Sequence, residues 1–159
     1  MGKQAQLTSP TAFVAEAERM TNQRDVDAIR GVFASDGRWR CVIDGLETHD
    51  TGMEAIADRW RLLCRFMADR DLVVRKELLA ATDDQIINRW HGRAKGGARP
   101  TGIEVWRFDS GGLVTEQLLM GFLDPRPETS PAVMLGLLVS QPGTALTFAR
   151  HRFAGRGQA

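Results

Sequence analysis

Four strand-like segments in the second half of the chain constrain the fold more than any other feature. They alternate with short connections that contain glycine, aspartate or proline. The segments are 71–81, 85–94, 101–108 and 113–123, and the connections are 82–84, 95–100 and 109–112. Connections of this length and composition are typical of antiparallel hairpins. The pattern therefore predicts four consecutive antiparallel strands.

Apolar residues recur at helical spacing in three places before these strands. The first predicted helix begins at Ser9 or Thr11, and the third begins at Thr51 or Gly52 and ends near Asp69. A short second helix is predicted over 26–36, with Gly37 at its end. Two small strands, 38–43 and 46–49, are predicted between the second and third helices. Helices followed by an antiparallel meander indicate an α+β fold.

Prolines mark a change of organisation near residue 125. Two further short helices are predicted beyond them, over 132–140 and 144–153. We therefore predict a domain over 9–124 and a C-terminal helical extension with a loose tail over 125–159.

Charge and hydropathy exclude several classes of function. The formal net charge is +1, so no excess positive field attracts nucleic acid. The longest apolar run, 132–139, is too short to cross a membrane. The N-terminal residues carry no hydrophobic stretch typical of a secretory signal, and the two cysteines form no C-x-x-C pair. We expect a cytoplasmic protein that binds neither nucleic acid nor membranes.

Catalytic and cofactor-binding motifs are missing from the sequence. It contains no dinucleotide-binding, P-loop, nucleophile-elbow or zincin pattern. Its three histidines, His49, His91 and His151, are far apart and lack acidic neighbours at ligand spacing. We expect no metal site and no cofactor.

Several short segments, in their order along the chain, resemble the nuclear-transport-factor-two-like (NTF2-like) superfamily, in particular its SnoaL-like branch and the related steroid isomerases. The segments are 24–29 (RDVDAI), 33–37 (FASDG), 52–56 (GMEAI) and 103–114 (IEVWRFDSGGLV). The resemblance covers about 9–124. It implies a cone-shaped fold in which a curved sheet wraps a long helix around an apolar pocket. It also implies a cofactor-free isomerase, cyclase, dehydratase or hydrolase, or a protein that only binds or assembles.

Residue by residue, the resemblance carries over in part. Glu104 matches the acidic group that donates a hydrogen bond to the substrate oxyanion in steroid isomerases. Their proton-shuttling aspartate falls near Cys41 and their oxyanion tyrosine near Ala17, and this chain has no tyrosine. Epoxide hydrolases of the superfamily have Arg-x-Asp where this chain has Arg-Trp-His at 89–91, and a second aspartate where it has Leu119.

Strand alternation independently predicts a polar row on the inner face of the sheet. If residues 110–111 form a two-residue turn, Glu104 lies opposite Gln117, and a symmetric preceding loop places Asn88 opposite Glu104. The next row is then Ile86, Trp106 and Thr115. Burial disfavours the ionised form of a carboxyl group, which suits Glu104 to acid–base catalysis polarised by Asn88 and Gln117. Alternatively, the three side chains only satisfy one another, or another register places Glu104 outside.

Other predicted inward-facing residues are candidates for ligand contact. The four tryptophans form either a normal core or a wall suited to flat, cyclic ligands; they are Trp39, Trp60, Trp90 and Trp106. Cys41 is more typical of a small buried apolar residue than of a nucleophile. His49, on the approach to the third helix, is either solvated or an acid–base partner of Glu104.

The last strand places Leu118, Met120 and Phe122 on its outer face, where they need cover. A homodimer through this face or the C-terminal helices can supply it, and we predict the dimer. Three functions stay open: a cofactor-independent enzyme acting on an apolar cyclic substrate, a binder of such a ligand, and a structural dimerisation module.

Overall fold

The structure is a computed structural model that describes residues 9–125 and 131–154. Its residues form two compact units, with the boundary after Pro125. That 9–124 folds as a domain separate from 125–159 stays a prediction.

The predicted meander forms the larger part of a curved, unclosed sheet in the first unit. The strands are β1 (Phe33–Ile43), β2 (Leu46–Thr51), β3 (Val73–Ala81), β4 (Gln85–Arg93), β5 (Thr101–Phe108) and β6 (Val114–Phe122). They lie in the order β2-β1-β6-β5-β4-β3. Neighbours are antiparallel except β1 and β6, which are parallel. The α+β class and the four consecutive antiparallel strands are confirmed.

Two α-helices contribute to the core on the inner face of this sheet. α1 (Pro10–Gln23) begins where predicted, since the Ser9 hydroxyl accepts a hydrogen bond from the Ala12 amide at 3.1 Å. α2 (Met53–Asp69) is the long third helix of the prediction. Its buried residues recur on one stripe; they are Ile56, Ala57, Trp60, Cys64 and Met67.

The predicted second helix is wrong. Only a single 3-10 turn, Ala28–Gly31, forms there, and β1 already begins at Phe33. Gly37 does not end a helix but lies inside β1, where the pairing with β6 shifts between Phe33 and Arg38. A Cβ at Gly37 would lie 3.0 Å from the carbonyl oxygen of Ala34. The glycine therefore permits the bend that the helical interpretation missed.

The predicted register is correct at one hairpin and wrong at the next. Asn88 lies opposite Glu104 as predicted, but Glu104 lies opposite Leu119, and Gln117 lies opposite Trp106. The turn is longer than predicted because the Asp109 amide donates to the carbonyl of Leu113 at 2.9 Å. The resulting shift by two residues keeps Gln117 on the inner face and moves Thr115 out of the predicted row.

The second unit consists of α3 (Pro131–Ser140) and α4 (Pro142–Ala154) within its described residues. The two C-terminal helices are therefore confirmed. The predicted loose tail at 155–159 lies outside the described residues. No helix within 9–125 or 131–154 has the length and apolar character needed to cross a membrane.

The outer face of β6 is apolar, as predicted. Met120 and Phe122 are 41% and 58% exposed in the single chain, and Leu118 is half-buried. The homodimer through this face stays a prediction. Replacing Met120 with glutamate should give monomers in sedimentation experiments, and a wild-type chain that is monomeric at high micromolar concentration would contradict it.

Candidate functional site

A buried ion pair on the inner face of the sheet joins the edge strand β3 to β5. The Lys76 Nζ donates to both carboxylate oxygens of Glu104, at 2.7 Å each. The two side chains are only 5% and 4% exposed. An ammonium and a carboxylate this deeply buried interact more strongly than on the surface, because little water screens them.

Lys76 is the functional candidate that the sequence interpretation missed. It lies on β3 directly opposite Trp90 of β4, and β3 residues at this parity, such as Val74, face the core. Its neighbours Arg75 and Glu77 are also charged, and a run of charged residues is typical of a solvent-exposed strand. Strict alternation from the buried Val74 would have placed Lys76 inside. The sequence interpretation expected only neutral amides and indoles beside Glu104; it is correct for Asn88, but it omits the Lys76 ammonium.

Asn88 extends the ion pair into a continuous network. Its side-chain Nδ2 donates to Glu104 Oε2 at 2.8 Å, and its Oδ1 accepts from the Trp106 indole nitrogen at 2.7 Å. The Lys76 Nζ also lies 5.7 Å from the centroid of the Trp106 ring, within the range of a cation–π contact. We call Lys76, Glu104, Asn88 and Trp106 the ion-pair cluster. The bonds to Asn88 and Lys76 hold the carboxylate in one orientation.

Gln117 does not join this cluster, contrary to the prediction that it polarises Glu104. It lies opposite Trp39 on the parallel strand β1, and each of the two residues is 2% exposed. The Gln117 Oε1 and the Trp39 indole nitrogen are buried without a hydrogen-bond partner among the described residues. We call Trp39 and Gln117 the indole–amide pair. Its fully buried atoms include one unused acceptor and one unused donor.

Two cavities border the ion pair. One, of about 290 Å³, lies beside α1 and reaches Trp39, Gln117 and Trp106. The other, of about 400 Å³, lies beside α2 and reaches Cys41 and Trp90. Both are bordered by Lys76, Glu104 and Trp60. The charged pair is thus the polar point shared by two largely apolar spaces.

Apolar side chains supply most of the cavity walls. Those beside the first cavity include Ala12, Phe13, Ala17, Met20, Ile29 and Val32. Those beside the second include Leu46, Leu62, Leu63, Phe66, Met67 and Leu72. Such walls favour a ligand that is itself mainly apolar.

Two glycines make room for the indole of Trp90 at the second cavity. A Cβ on Gly102 would lie 2.7 Å from Trp90 Cε2, and one on Gly121 would lie 2.5 Å from Trp90 Cζ2. Gly102 of β5 lies opposite Trp90, and Gly121 of β6 lies opposite Gly102. Trp60, by contrast, is fixed by a hydrogen bond from its indole nitrogen to the carbonyl of Asp25 at 2.9 Å.

Cys41 forms a small apolar part of the second cavity wall. It is 5% exposed and lies opposite Leu119. Burial raises the pKa of the Cys41 thiol, which keeps it in the weakly nucleophilic thiol form at neutral pH. This environment agrees with the interpretation of Cys41 as a buried apolar residue.

Comparison with known families and structures identifies the family of the chain and proteins that share its fold. The family model of DUF1348, described as "Protein of unknown function", matches residues 6–121. The chain belongs to DUF1348, and its fold is NTF2-like. The resemblance seen in the sequence is thereby confirmed, and with it the cone-shaped α+β fold. A comparison with curated protein sequences finds no match.

Solved structures with the same fold have dissimilar sequences. A steroid delta-isomerase from Pseudomonas aeruginosa is 16% identical, with a TM-score of 0.55 over 87% of this chain and 94% of that one. RV0760c from Mycobacterium tuberculosis, in complex with estradiol-17beta-hemisuccinate, is 20% identical, with a TM-score of 0.50 over 70% and 93%. An NTF2-like protein of unknown function from Mesorhizobium loti is 15% identical, with a TM-score of 0.56 over 73% and 93%. At these identities the likeness shows the fold alone.

Of the two alternatives for His49, the structure agrees with the solvated one and does not place the residue beside Glu104. Its side chain is 67% exposed, its Nε2 lies 3.0 Å from Glu47 Oε1, and it borders neither cavity. It lies on β2 opposite Arg40, which belongs to the outward set of β1. Within 9–125 and 131–154, no group of three or more histidine, cysteine, aspartate or glutamate side chains is arranged to hold a metal ion.

Proposed function

We propose that this protein is a cofactor-independent enzyme that binds an apolar, cyclic small molecule beside the ion-pair cluster and transfers a proton with Glu104. The observation that carries the proposal is the Lys76–Glu104 pair, buried at the point where both cavities meet. A steroid isomerase and a protein crystallised with a steroid derivative share this fold, which supports a ligand of this kind.

The geometry supports a division of labour between the two charged groups. The Glu104 carboxylate takes a proton from a carbon next to a substrate carbonyl, and the electron pair of the C–H bond moves towards the carbonyl oxygen. The ammonium of Lys76 has three N–H donors, two of which contact Glu104. The third donates to the developing oxyanion, which is stabilised most where water is excluded. Glu104 then returns the proton to the substrate.

Asn88 positions the Glu104 carboxylate for this reaction. Its Nδ2 holds Glu104 Oε2, while Oε1 accepts a hydrogen bond from Lys76 alone among the described residues. Oε1 is therefore the oxygen with capacity left to take a proton. Isomerisation, cyclisation, dehydration and hydrolysis each need a proton moved by a positioned acid or base; the removal of a carbon-bound proton described here is the form that isomerisation takes.

The test uses 2-tetralone, an apolar bicyclic ketone with acidic protons beside its carbonyl. Exchange of these protons in D2O is followed by proton NMR with and without protein. The wild-type chain should accelerate exchange over buffer, and Glu104→Gln should abolish the acceleration. Glu116→Gln is the matched control, because Glu116 lies on β6 with its side chain 43% exposed, and it should exchange like wild type. Equal exchange by wild type and Glu104→Gln would overturn the catalytic role.

The second candidate function is a non-catalytic binder of the same kind of ligand. It is favoured by the three hydrogen bonds that Glu104 already accepts from Lys76 and Asn88, and by the lack of any tyrosine in the chain. Saturable binding of 2-tetralone without accelerated exchange would select this function. The third hypothesis, a structural module with a filled core, predicts no binding.

A further inference from the structure

The indole–amide pair is a second polar feature of the first cavity, separate from the ion-pair cluster. Trp39 and Gln117 border this cavity, and both are 2% exposed. A buried polar atom without a partner costs on the order of 1–3 kcal/mol. Two such atoms on directly opposed residues therefore make an unfavourable arrangement unless something else bonds to them.

The chemistry of the two atoms defines what can bond to both. The Trp39 Nε1 is only a donor, and the Gln117 Oε1 is only an acceptor. A carbonyl or an anion would leave Gln117 Oε1 unsatisfied, and a cation would leave Trp39 Nε1 unsatisfied. A hydroxyl group donates one hydrogen bond and accepts another, so it is the single group whose chemistry matches both atoms.

We infer that Trp39 and Gln117 form a subsite for one hydroxyl group of the ligand. The ligand O–H donates to Gln117 Oε1, and its oxygen accepts from Trp39 Nε1. This inference rests on the proposed function, because it assumes that the first cavity binds the ligand. It deepens that function by giving the substrate class: an apolar, cyclic molecule that carries a hydroxyl group away from its reacting end.

The position of the subsite gives the separation between the two polar ends of that molecule. Gln117 lies opposite Trp106, which is two residues from Glu104 on the same face of β5. Two residues along a strand span roughly 7 Å. That separation is comparable to the length of a fused two-ring frame, with a carbonyl at one end and a hydroxyl at the other.

The test compares the binding of two ketones that differ in one group, 6-hydroxy-2-tetralone and 6-methyl-2-tetralone. Dissociation constants are measured by calorimetry for wild type, Gln117→Met and Trp39→Phe. Wild type should bind the hydroxy ketone about tenfold more tightly than the methyl ketone, as expected for one to two buried hydrogen bonds. Gln117→Met, which keeps the length of the side chain, should remove that preference. Trp39→Phe removes the indole donor and should reduce the preference.

Gln85→Met is the matched control, since Gln85 is half-buried on β4 and borders neither cavity. It should keep the wild-type preference. Equal affinities of wild type for the two ketones would mean that the pair holds only a water molecule, and this would overturn the inference. A preference that survives in Gln117→Met would overturn it as well.

The outcome also separates this inference from the proposed function. A Gln117-dependent preference in a chain that does not accelerate proton exchange would support the subsite and overturn the catalytic role. Accelerated exchange without that preference would support the catalytic role and overturn the subsite. If neither ketone binds to wild type, both proposals fail.

Discussion

Two groups of buried polar side chains on one face of the same sheet differ in how fully they are bonded. In the ion-pair cluster, the contacts run without a break from Lys76 through Glu104 and Asn88 to the indole of Trp106. In the indole–amide pair, Trp39 and Gln117 lie side by side with unused hydrogen-bonding atoms among the described residues. The first arrangement stabilises the fold and orients a charged group. In the second, the buried indole nitrogen and amide oxygen add no hydrogen bond to the fold.

The largest expected effect comes from breaking the ion pair. Lys76→Met leaves the Glu104 carboxylate buried without its cation, which should lower the free energy of unfolding by about 3–5 kcal/mol. Chemical denaturation measures this value. Arg75→Met is the matched control: Arg75 is the preceding residue of β3, its side chain is 78% exposed, and its removal should change stability little.

A double substitution sharpens the same result. If the loss comes from an uncompensated charge, Lys76→Met combined with Glu104→Gln should be more stable than Lys76→Met alone. A double variant whose loss equals the sum of the two single losses would show that the two charges do not interact.

A smaller effect is expected for Glu104→Gln alone. The substitution removes the negative charge beside Lys76, but the new amide oxygen can still accept a hydrogen bond from the ammonium. We expect a loss of about 2 kcal/mol at neutral pH by denaturation. Stability that stays unchanged or improves would contradict the ion pair.

Asn88→Leu tests the middle of the cluster at similar volume. It removes the donor to Glu104 and leaves the Trp106 indole nitrogen without its acceptor, for an expected loss of about 1–3 kcal/mol. Urea denaturation of the variant beside wild type measures the loss. An unchanged midpoint would mean that the bonds through Asn88 contribute nothing net.

The smallest effect is expected in the indole–amide pair. Gln117→Met replaces a buried amide whose oxygen has no described partner with an apolar group of similar length, so stability without ligand should change by less than about 0.5 kcal/mol or increase. If Gln117→Met lowered the free energy of unfolding as much as Asn88→Leu does, the indole–amide pair would stabilise the fold as much as the ion-pair cluster, contrary to the comparison above.

Local patterns predict the fold of this chain better than its site. Short turns specify hairpins, so the strands 73–81, 85–93, 101–108 and 114–122 agree with the predicted segments within two residues at each end. The apolar stripe of α2 is likewise evident from the sequence. The predicted second helix is wrong because three apolar residues at helical spacing also fit a 3-10 turn that leads into a bent strand.

The site depends on register and on side chains that reach across strands, which local patterns do not contain. Because a hydrogen bond between Asp109 and Leu113 closes the turn, Gln117 lies opposite Trp106 and not opposite Glu104 as predicted. Lys76 lies in a charged stretch, and alternation places it inside only once Val74 is known to be buried. The inward positions of Asn88 and Glu104 were predictable, because alternation and one symmetric hairpin define them.

The most direct test of the central claim, that an apolar ligand binds beside the ion pair, uses the methionine methyl groups of wild type as reporters. Met20 borders the first cavity, Met67 borders the second, and Met120 lies on the outer face of β6. Protein labelled with 13C at its methionine methyls is titrated with 2-tetralone and followed by NMR. The account predicts that the Met20 signal, beside the first cavity, shifts and saturates with one dissociation constant while Met120 stays in place; a Met67 shift with the same constant would place part of the ligand in the second cavity as well. Unchanged Met20 and Met67 signals, or a shift of Met120 alone, would contradict it.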